Sequence, residues 1–328
     1  MASAPHIEGI HHISAISGSP KVNYDFYTQI MGLRFVKKTV NFDDPFTYHL
    51  YYGNHQGAPG STITFFPWAH VVQGSPQTGE TTATAYAIPF DGLDEWVSHF
   101  AEHNIRIDGP FEQFGQKTLI VQDPDGLQIQ LIEDAGVTGV PDPHLEIHHE
   151  ATAIRGFFGA TLDVTDIGPT AELLQTFGWS FDAEENGVHR YRAPGEHGIG
   201  KVVDVVQQKH GEGRFGKGTI HHIAFRVPDK DAQEAWAEEL VHMGFSPTPI
   251  QERFYFKAIY FREKNGILFE LATDEPGFTA DESIEELGTS LKLPAWYEPH
   301  RARIEEALPT LEPSANQASV HSTVSQKT

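Results

Sequence analysis

Two histidine doublets and one glutamate inside an apolar strand are the residues of this chain whose types and spacing could do chemistry. The doublets have matching contexts, His11-His12-Ile13 and His221-His222-Ile223, and Glu270 lies within Gly266-Ile267-Leu268-Phe269-Glu270-Leu271. A buried, ionised carboxylate costs several kcal/mol unless it is hydrogen-bonded, paired or bound to a metal. Glu270 therefore predicts a partner, and the doublets offer imidazoles, which are common metal ligands.

The doublets and Glu270 together predict a metal site with an open side. Neighbours in a strand point to opposite faces, so one histidine of each doublet should face a shared ion. The register of the repeats selects His12 and His222, and leaves His11 and His221 beside the ligands or in structural roles. Two imidazoles and one carboxylate on one face of an ion are the arrangement of non-haem Fe(II) oxygenases. Zn(II) and Mn(II) accept the same donors, so ligand type alone does not fix the metal.

A fourfold βαβββ repeat supplies the elements that must position these residues. Each copy begins with an apolar strand, continues with an amphipathic helix and ends with strands separated by Gly, Asn or Pro turns. The first and fourth copies share the helix exits Met31-Gly32-Leu33 and Met243-Gly244-Phe245. Such self-similarity indicates duplication of one module.

The repeat predicts an α+β fold in which the four βαβββ modules pair into two barrel-like domains, followed by a C-terminal helical extension. The expected divisions are an N-terminal domain of modules one and two at 7–134, a linker at 135–153, a C-terminal domain of modules three and four at 154–274, a helical extension at 275–313 and a disordered tail at 314–328. Pro-containing and charged residues mark the linker, and polar composition marks the tail.

Only modules one and four keep residue types that bind metals. Modules two and three have Ala83 and Gly159 at the histidine position, and modules one and two have Thr64 and Gln130 at the position of Glu270. If modules one and four share a barrel-like cleft, that cleft contains three ligand-type side chains and the neutral Thr64.

Turn chemistry places Tyr260 beside the predicted ligands. The turn Glu263-Lys264-Asn265-Gly266 corresponds to Asp123-Pro124-Asp125-Gly126 of module two, where proline rules out a type I′ turn. A type I turn closed by a glycine bulge pairs residue 263 with 267 and sets Tyr260 opposite Glu270. Tyr260 would then be a hydrogen-bond donor or an acid/base. A two-residue Asn-Gly turn would bring Phe261 there instead.

Arg253 is a further candidate, because its guanidinium could hold an anionic substrate or oxygen intermediate. A surface role for this arginine is about as well supported by its context, Gln251-Glu252-Arg253-Phe254-Tyr255. We count Tyr260, Arg253, His11 and His221 as candidate catalytic residues.

The composition excludes several kinds of site and partner. The 328 residues include no cysteine, so disulfides and thiolate ligands are excluded and any metal must bind His, Asp or Glu. The net charge of −22 argues against nucleic acid and anionic membranes as partners. No apolar run approaches a membrane span and no signal-peptide pattern opens the chain, so we expect a cytoplasmic protein. A homo-oligomer is left open.

The chain resembles the vicinal oxygen chelate superfamily (glyoxalase/bleomycin resistance/extradiol dioxygenase), and within it the ring-cleaving dioxygenases that include hydroquinone 1,2-dioxygenases. The resemblance covers nearly the whole chain and rests on Gly9 to Ala15, Tyr24 to Tyr27, Phe35 to Val40, Tyr48 to Tyr52, His221 to Phe225, Phe269-Glu270 and Pro276 to Phe278. It implies the vicinal oxygen chelate fold and cleavage of an aromatic diol, hydroquinone or catechol, with both atoms of O2 entering the product.

The same resemblance implies roles for individual residues. His12, His222 and Glu270 match iron ligands, and His11, Arg253 and Tyr260 match residues that handle protons and substrate charge. Two other functions use this fold. A glyoxalase-type isomerase or lyase would be expected to supply a fourth protein ligand at Thr64, and a non-catalytic small-molecule binding protein has no use for three matched ligands.

Overall fold

The structure of the protein is a computed structural model. It describes residues 4–75, 77–136, 152–195, 198–208 and 213–311. Most of the linker expected at 135–153 and the whole tail expected at 314–328 lie outside the described residues, so the expectations for those segments stay predictions. No helix in the described ranges is long and apolar enough to cross a membrane.

All four predicted modules are present, each with one helix and at least four strands. Module one contains β1 (Ile10–Ser17), α1 (Pro20–Asp25) with a π-helical continuation (Phe26–Ile30), β2 (Arg34–Asn41), β3 (Asp44–Gly53) and β4 (Thr62–Pro67). Module two contains β5 (Glu80–Ile88), α2 (Leu93–Glu102), β6 (Ile107–Gln113), β7 (Gln116–Gln122) and β8 (Gln128–Glu133). Module three contains β9 (Gly156–Val164), α3 (Ile167–Thr176), β10 (Ser180–Glu185), β11 (Val188–Arg192) and β12 (Val202–Gln207). Module four contains β13 (Ile220–Val227), α4 (Lys230–His242), β14 (Gln251–Glu252), β15 (Lys257–Arg262) and β16 (Leu268–Thr273).

Helix α4 shows the amphipathic packing that the sequence predicts. Asp229 caps α4 by accepting a hydrogen bond from the Ala232 amide, as expected for an aspartate at a helix N-terminus. The predicted apolar stripe of α4 is buried at Trp236 and Leu240, against the sheet. Helix α4 therefore packs its apolar side against β13, β15 and β16 of the first sheet.

The strands form two eight-stranded sheets, which confirms the α+β fold with two barrel-like units. The first sheet joins modules one and four in the order β14-β15-β16-β13-β1-β4-β3-β2, and the second sheet joins modules two and three in the order β10-β11-β12-β9-β5-β8-β7-β6.

The pairing of modules differs from the sequence-contiguous division at 7–134 and 154–274. Each of these segments contributes one module to each sheet. In every module the first strand uses one edge to pair with the last strand of its own module, as β1 does with β4. Its other edge must find a partner, since unpaired strand edges expose backbone hydrogen-bonding groups. That partner is the first strand of a module on the other side of 135–153: β13 for β1, and β9 for β5.

A pair of β-bulges shapes the seam between modules one and four. Along β1 and β13, Ile10 faces Phe225 and the next paired residue, His12, faces Ala224, so His11 is an extra residue. At the other end of the seam the register skips His221 in the same way. A bulge kinks the strand and re-aims side chains, and it is often found next to active sites.

The segment expected to be a helical extension wraps around the first sheet and is only partly helical. It contains one α-helix, α5 (Arg301–Ala307), and single 3-10 turns at Phe278–Ala280, Ile284–Glu286 and Glu298–His300. Lys37 of β2, which is fully buried, holds this segment to the sheet. Its ammonium group donates to the Phe278 carbonyl at 3.0 Å, to Asp281 at 2.7 Å and to buried Glu282.

Replacing Lys37 should therefore destabilise the fold strongly. In Lys37→Met the carboxylates of Asp281 and Glu282 lose their buried cation, and breaking a buried pair from one side costs about 3–5 kcal/mol. Lys21→Met is the matched control, because Lys21 forms a partly exposed i,i+4 pair with Asp25 that should contribute less than about 0.5 kcal/mol. Urea unfolding of both variants measures the difference, and equal losses would contradict the role assigned to Lys37.

Candidate metal centre

His12, His222 and Glu270 meet in the cleft of the first sheet. The three residues are buried, and one ligand atom from each lies within 4.8 Å of the others. Glu270 Oε2 lies 2.9 Å from His222 Nε2 and 3.4 Å from His12 Nε2, and the two Nε2 atoms are 3.3 Å apart. Among the described residues this is the only group of three or more His, Cys, Asp or Glu side chains with such geometry.

The state of Glu270 tests whether these residues suit a metal. Its side chain is fully buried, and neither carboxylate oxygen accepts a well-directed hydrogen bond, although His222 Nε2 is close. Burial by itself would raise the pKa of Glu270, but positive charge on His12 and His222 outweighs burial and lowers it. Burial also lowers the pKa of His222, which disfavours that charge. A divalent cation between the three side chains would supply the positive charge that His222 is poorly suited to carry, so the donor set fits a metal.

The alternation of an unbroken strand predicts that the histidines preceding the ligands point away from the site. In the structure they face the ligand histidines instead. His11 Nδ1 lies 2.9 Å from His12 Nδ1, and His221 Nδ1 lies 2.7 Å from His222 Nδ1. The reason is the pair of bulges, in which His11 and His221 are the extra residues. Each neighbour thus occupies the Nδ1 edge of a ligand histidine and leaves its Nε2 edge facing Glu270.

Burial keeps both neighbours neutral. It lowers the pKa of His11 to about 3, with a smaller contribution from His12, and lowers the pKa of His221 to about 3, with a smaller contribution from His222. Neutral imidazoles can fix the orientation and tautomer of the ligand rings through one hydrogen bond each. Phe256 completes this wall by packing its ring 5.4 Å from His11 and 4.9 Å from His12.

Strand register confirms which residues are equivalent to Glu270. Glu270 lies beside Ala224, two residues after His222, and Thr64 and Gln130 take the same place in modules one and two. The same register in module three belongs to Asp204, which the sequence analysis did not place.

The buried carboxylate of Asp204 is stabilised by an arginine and needs no metal. Arg190 lies opposite it on β11 and donates from Nε and Nη2 to its two oxygens, each at 2.8 Å. A histidine could not replace Gly159 here, because even a Cβ atom would lie 2.3 Å from the Val202 carbonyl oxygen. The cleft of the second sheet therefore cannot form the metal site proposed for the first.

The hairpin prediction for Tyr260 is confirmed. Glu263 and Ile267 pair as predicted, with the Glu263 amide donating to the Ile267 carbonyl at 3.0 Å, and Tyr260 lies opposite Glu270. Phe261 pairs with Phe269 instead. The Tyr260 ring is 5.6 Å from the His222 ring. Burial, followed by the charge of Glu270, raises the pKa of Tyr260, so its hydroxyl stays protonated at neutral pH.

Arg253 lies at the mouth of the cleft and not on the outer surface. Its guanidinium stands 5.6 Å over the Tyr260 ring and donates to Gln251 at 2.6 Å and to Asp43 at 3.1 Å. Asp43 belongs to the β2–β3 turn of module one, so this ion pair spans the two modules. Phe254, next in sequence, has a φ of +66°, a conformation that is uncommon for a bulky residue and is often found at functional sites.

A cavity of about 300 Å³ opens beside His12 and His222. Tyr260, Arg253, His221 and the two ligand histidines line it together with aromatic side chains and polar residues of module one. The aromatic residues are Phe42, Phe66, Trp68 and Phe256, and the polar residues of module one are Ser14, Asn41, Asp43, His49 and Tyr51. Sequence reasoning missed His49, for which the available signal was a single imidazole within the apolar run Tyr48-His49-Leu50-Tyr51-Tyr52.

Sequence comparison finds relatives along nearly the whole chain. The model of the Glyoxalase/Bleomycin resistance protein/Dioxygenase superfamily matches residues 9–131 and 135–271. The chain is 44% identical over 301 residues to MhqO of Bacillus subtilis, a predicted ring-cleaving dioxygenase, with 92% of this chain and 95% of that protein covered. It is 32% identical over 298 residues to a chlorohydroquinone/hydroquinone 1,2-dioxygenase of Sphingobium indicum, with 88% and 91% covered.

Structure comparison agrees. The crystal structure of a predicted dioxygenase from Bacillus subtilis superposes with a TM-score of 0.90 at 43% identity, covering 94% of this chain and 99% of that one. Glyoxalase I from Zea mays superposes with a TM-score of 0.58 at 15% identity, covering 81% of this chain and 92% of the maize chain. The maize enzyme shares the fold.

Removing the Glu270 carboxylate should abolish tight metal binding. In Glu270→Ala we expect the affinity for Mn(II), measured from the signal of the free ion by electron paramagnetic resonance, to fall more than about 100-fold, since loss of outer partners alone costs about 10–100-fold. The metal-free variant should be at least as stable as the metal-free wild type, because a buried charge has been removed.

Gln130→Ala is the matched control for Glu270→Ala, because Gln130 holds the same register in the second sheet. It should leave Mn(II) affinity unchanged. Equal affinities of Glu270→Ala and the wild type would exclude Glu270 as a ligand.

Proposed function

This chain belongs to the Glyoxalase/Bleomycin resistance protein/Dioxygenase superfamily, and we propose that it binds Fe(II) through His12, His222 and Glu270 and cleaves the ring of hydroquinone-type aromatic diols. The observation that carries the proposal is a buried set of two imidazoles and one carboxylate that opens onto an aromatic-lined cavity. Its enzyme class is that of an oxidoreductase, a dioxygenase whose substrates are an aromatic compound and O2.

Fe(II) bound by this donor set would keep a net positive charge, bind a phenolate oxygen and O2 at its open positions and carry electrons between them. The same ligands accept Mn(II) and Zn(II), but Zn(II) is redox-inert and does not suit a reaction with O2.

The residues around the metal suit a phenolic substrate. Tyr260 remains protonated, so we assign it as a hydrogen-bond donor to the substrate oxygen nearest Glu270 rather than as a base. Arg253 is permanently charged and stabilises a phenolate as it forms. Its ion pair with exposed Asp43 holds the guanidinium over Tyr260 before substrate arrives.

The aromatic walls of the cavity suit a flat ring and keep water out. Phe66 and Trp68 lie in a stacked arrangement with their rings 6.1 Å apart, and Phe42 and Phe256 supply further apolar surface. Exclusion of water strengthens every charge interaction inside the site.

The fourth-ligand position argues against the isomerase alternative. Thr64 occupies it, and its hydroxyl is engaged by Ser14 and His49, each at 2.8 Å. A neutral hydroxyl held in this way is a poor metal ligand, so the site keeps positions free for two substrates, as a dioxygenase requires.

Oxygen uptake tests the reaction. Protein loaded anaerobically with Fe(II) should consume one O2 per molecule of hydroquinone and yield an acyclic product that mass spectrometry identifies by the incorporation of both atoms of ¹⁸O2. Zn(II)-loaded protein should consume none. Absence of uptake with substituted hydroquinones and with catechols would overturn the dioxygenase proposal, and uptake with catechols alone would move the substrate to ortho-diols.

Loss of the Tyr260 hydroxyl should slow turnover without loss of metal. We expect Tyr260→Phe to lower kcat/KM for hydroquinone by about 100-fold, the lower range for a positioned proton donor or acceptor. Fe(II) content should stay at the wild-type level. The control is Tyr191→Phe, a buried tyrosine of β11 in the second sheet, which should not change kcat/KM. Equal kcat/KM for Tyr260→Phe and the wild type would remove Tyr260 from the reaction.

A further inference from the structure

Four side chains of module one form a hydrogen-bonded chain along the cavity wall. Ser14 Oγ lies 2.8 Å from Thr64 Oγ1, Thr64 Oγ1 lies 2.8 Å from His49 Nε2, and His49 Nδ1 lies 2.8 Å from the Tyr51 hydroxyl. Both ends of the chain, Ser14 and Tyr51, line the cavity, and so does His49 in the middle. Of these four residues, the sequence analysis gave only Thr64 a place in the site.

This polar chain has one more hydrogen than its internal hydrogen bonds use. Burial lowers the pKa of His49 well below 6.5, so the ring is neutral and carries one N–H. With one hydrogen on each hydroxyl, four hydrogens serve three links. When Tyr51 donates to His49, the links run toward Ser14 and the Ser14 hydrogen is left over. When the links run the other way, the Tyr51 hydrogen is left over.

In either direction, one end offers the cavity an O–H donor and the other end offers a free lone pair. A hydroxyl is both donor and acceptor, so this chain matches a hydroxyl group better than a methyl group or a fixed charge. His49 sets the direction, because its tautomer decides which link it donates.

The position of the chain complements the metal ligands. Tyr51 pairs with Thr64 across β3 and β4, as Tyr260 pairs with Glu270 across β15 and β16. The cleft therefore has two related walls: module four supplies the carboxylate ligand, Tyr260 and Arg253, and module one supplies the neutral polar chain. A diol with one oxygen at the metal beside Tyr260 has a second oxygen that needs a partner.

We propose that His49 is a specificity-determining residue, whose chain with Ser14, Thr64 and Tyr51 binds the substrate hydroxyl that is not held at the metal. The inference rests on the proposed function for the identity of the ligand as an aromatic diol. Module one then recognises the second hydroxyl. Its polar chain includes Thr64, at the position where a second carboxylate ligand would otherwise lie.

Anaerobic binding to the Fe(II)-loaded protein tests this role without requiring turnover. The probes are hydroquinone and 4-methylphenol, which replaces the second hydroxyl by a methyl group. One net hydrogen bond corresponds to about tenfold in affinity, so the wild type should bind hydroquinone at least about tenfold more tightly. In His49→Phe, which keeps an aromatic ring and removes both nitrogens, this preference should fall to near one.

Two further variants keep the test decisive if His49→Phe folds poorly. His49→Gln retains a donor and an acceptor and should keep part of the preference. Tyr51→Phe removes one end of the chain and should lower the preference while the Ser14–Thr64–His49 links remain. His189→Phe is the control, a half-buried histidine of β11 that does not line the cavity, and it should behave as the wild type.

The outcomes for the inference and for the proposed function can be told apart. An unchanged preference in folded His49→Phe, or a wild-type preference near one, overturns the role of His49. A wild type that binds hydroquinone with the stated preference but consumes no O2 overturns the dioxygenase proposal and leaves the effect of His49→Phe to decide the role of His49. A wild type that binds neither phenol overturns the role of His49 and the assignment of hydroquinone-type substrates.

Discussion

The charge of Glu270 is the constraint on which the rest of this structure depends. Its carboxylate is fully buried and has no well-directed hydrogen bond, so its ionised form is tolerable only beside positive charge. The partners it has are His12 and His222, from the first and the fourth module. The pairing of β1 with β13 brings these two modules together across the middle of the sequence.

The two sheets resolve the same constraint in different ways. In the second sheet, at the register of Glu270, Asp204 receives a bidentate pair of hydrogen bonds from Arg190. The seam between modules two and three also keeps a pair of bulges, at Thr82 and Phe158, where the first sheet has His11 and His221. The bulges therefore recur at the seam between paired modules in both sheets, and only the residues placed on them differ. A guanidinium built into the chain makes the second cleft self-sufficient, whereas the first cleft calls for an ion from outside.

Much of this arrangement was predictable from the sequence, where local rules determine the outcome. The modules follow from periodicity and glycine stops, and the position of Tyr260 opposite Glu270 follows from the turn chemistry of Gly266. Contacts that depend on non-local pairing were not predictable in the same way. The bulges that turn His11 toward His12 arise from strand register between distant modules, and a single sequence carries no direct signal for such register. His49 was missed because its partner Thr64 lies on the next strand, β4, and comes within hydrogen-bonding distance only when β3 and β4 pair.

The departure from symmetry between modules one and four explains how the first cleft can hold both a metal and an organic substrate. A second carboxylate at Thr64 would add a ligand and a negative charge, and would leave fewer positions and less net positive charge for a phenolate and O2. A threonine at that register cannot ionise, and its hydroxyl is taken up by Ser14 and His49. The Thr64 side of the cleft is thereby polar without being charged. Module one contributes His12 to the donor set and module four contributes His222 and Glu270, so both copies of the module shape the proposed site and only one of them carries a carboxylate at this register.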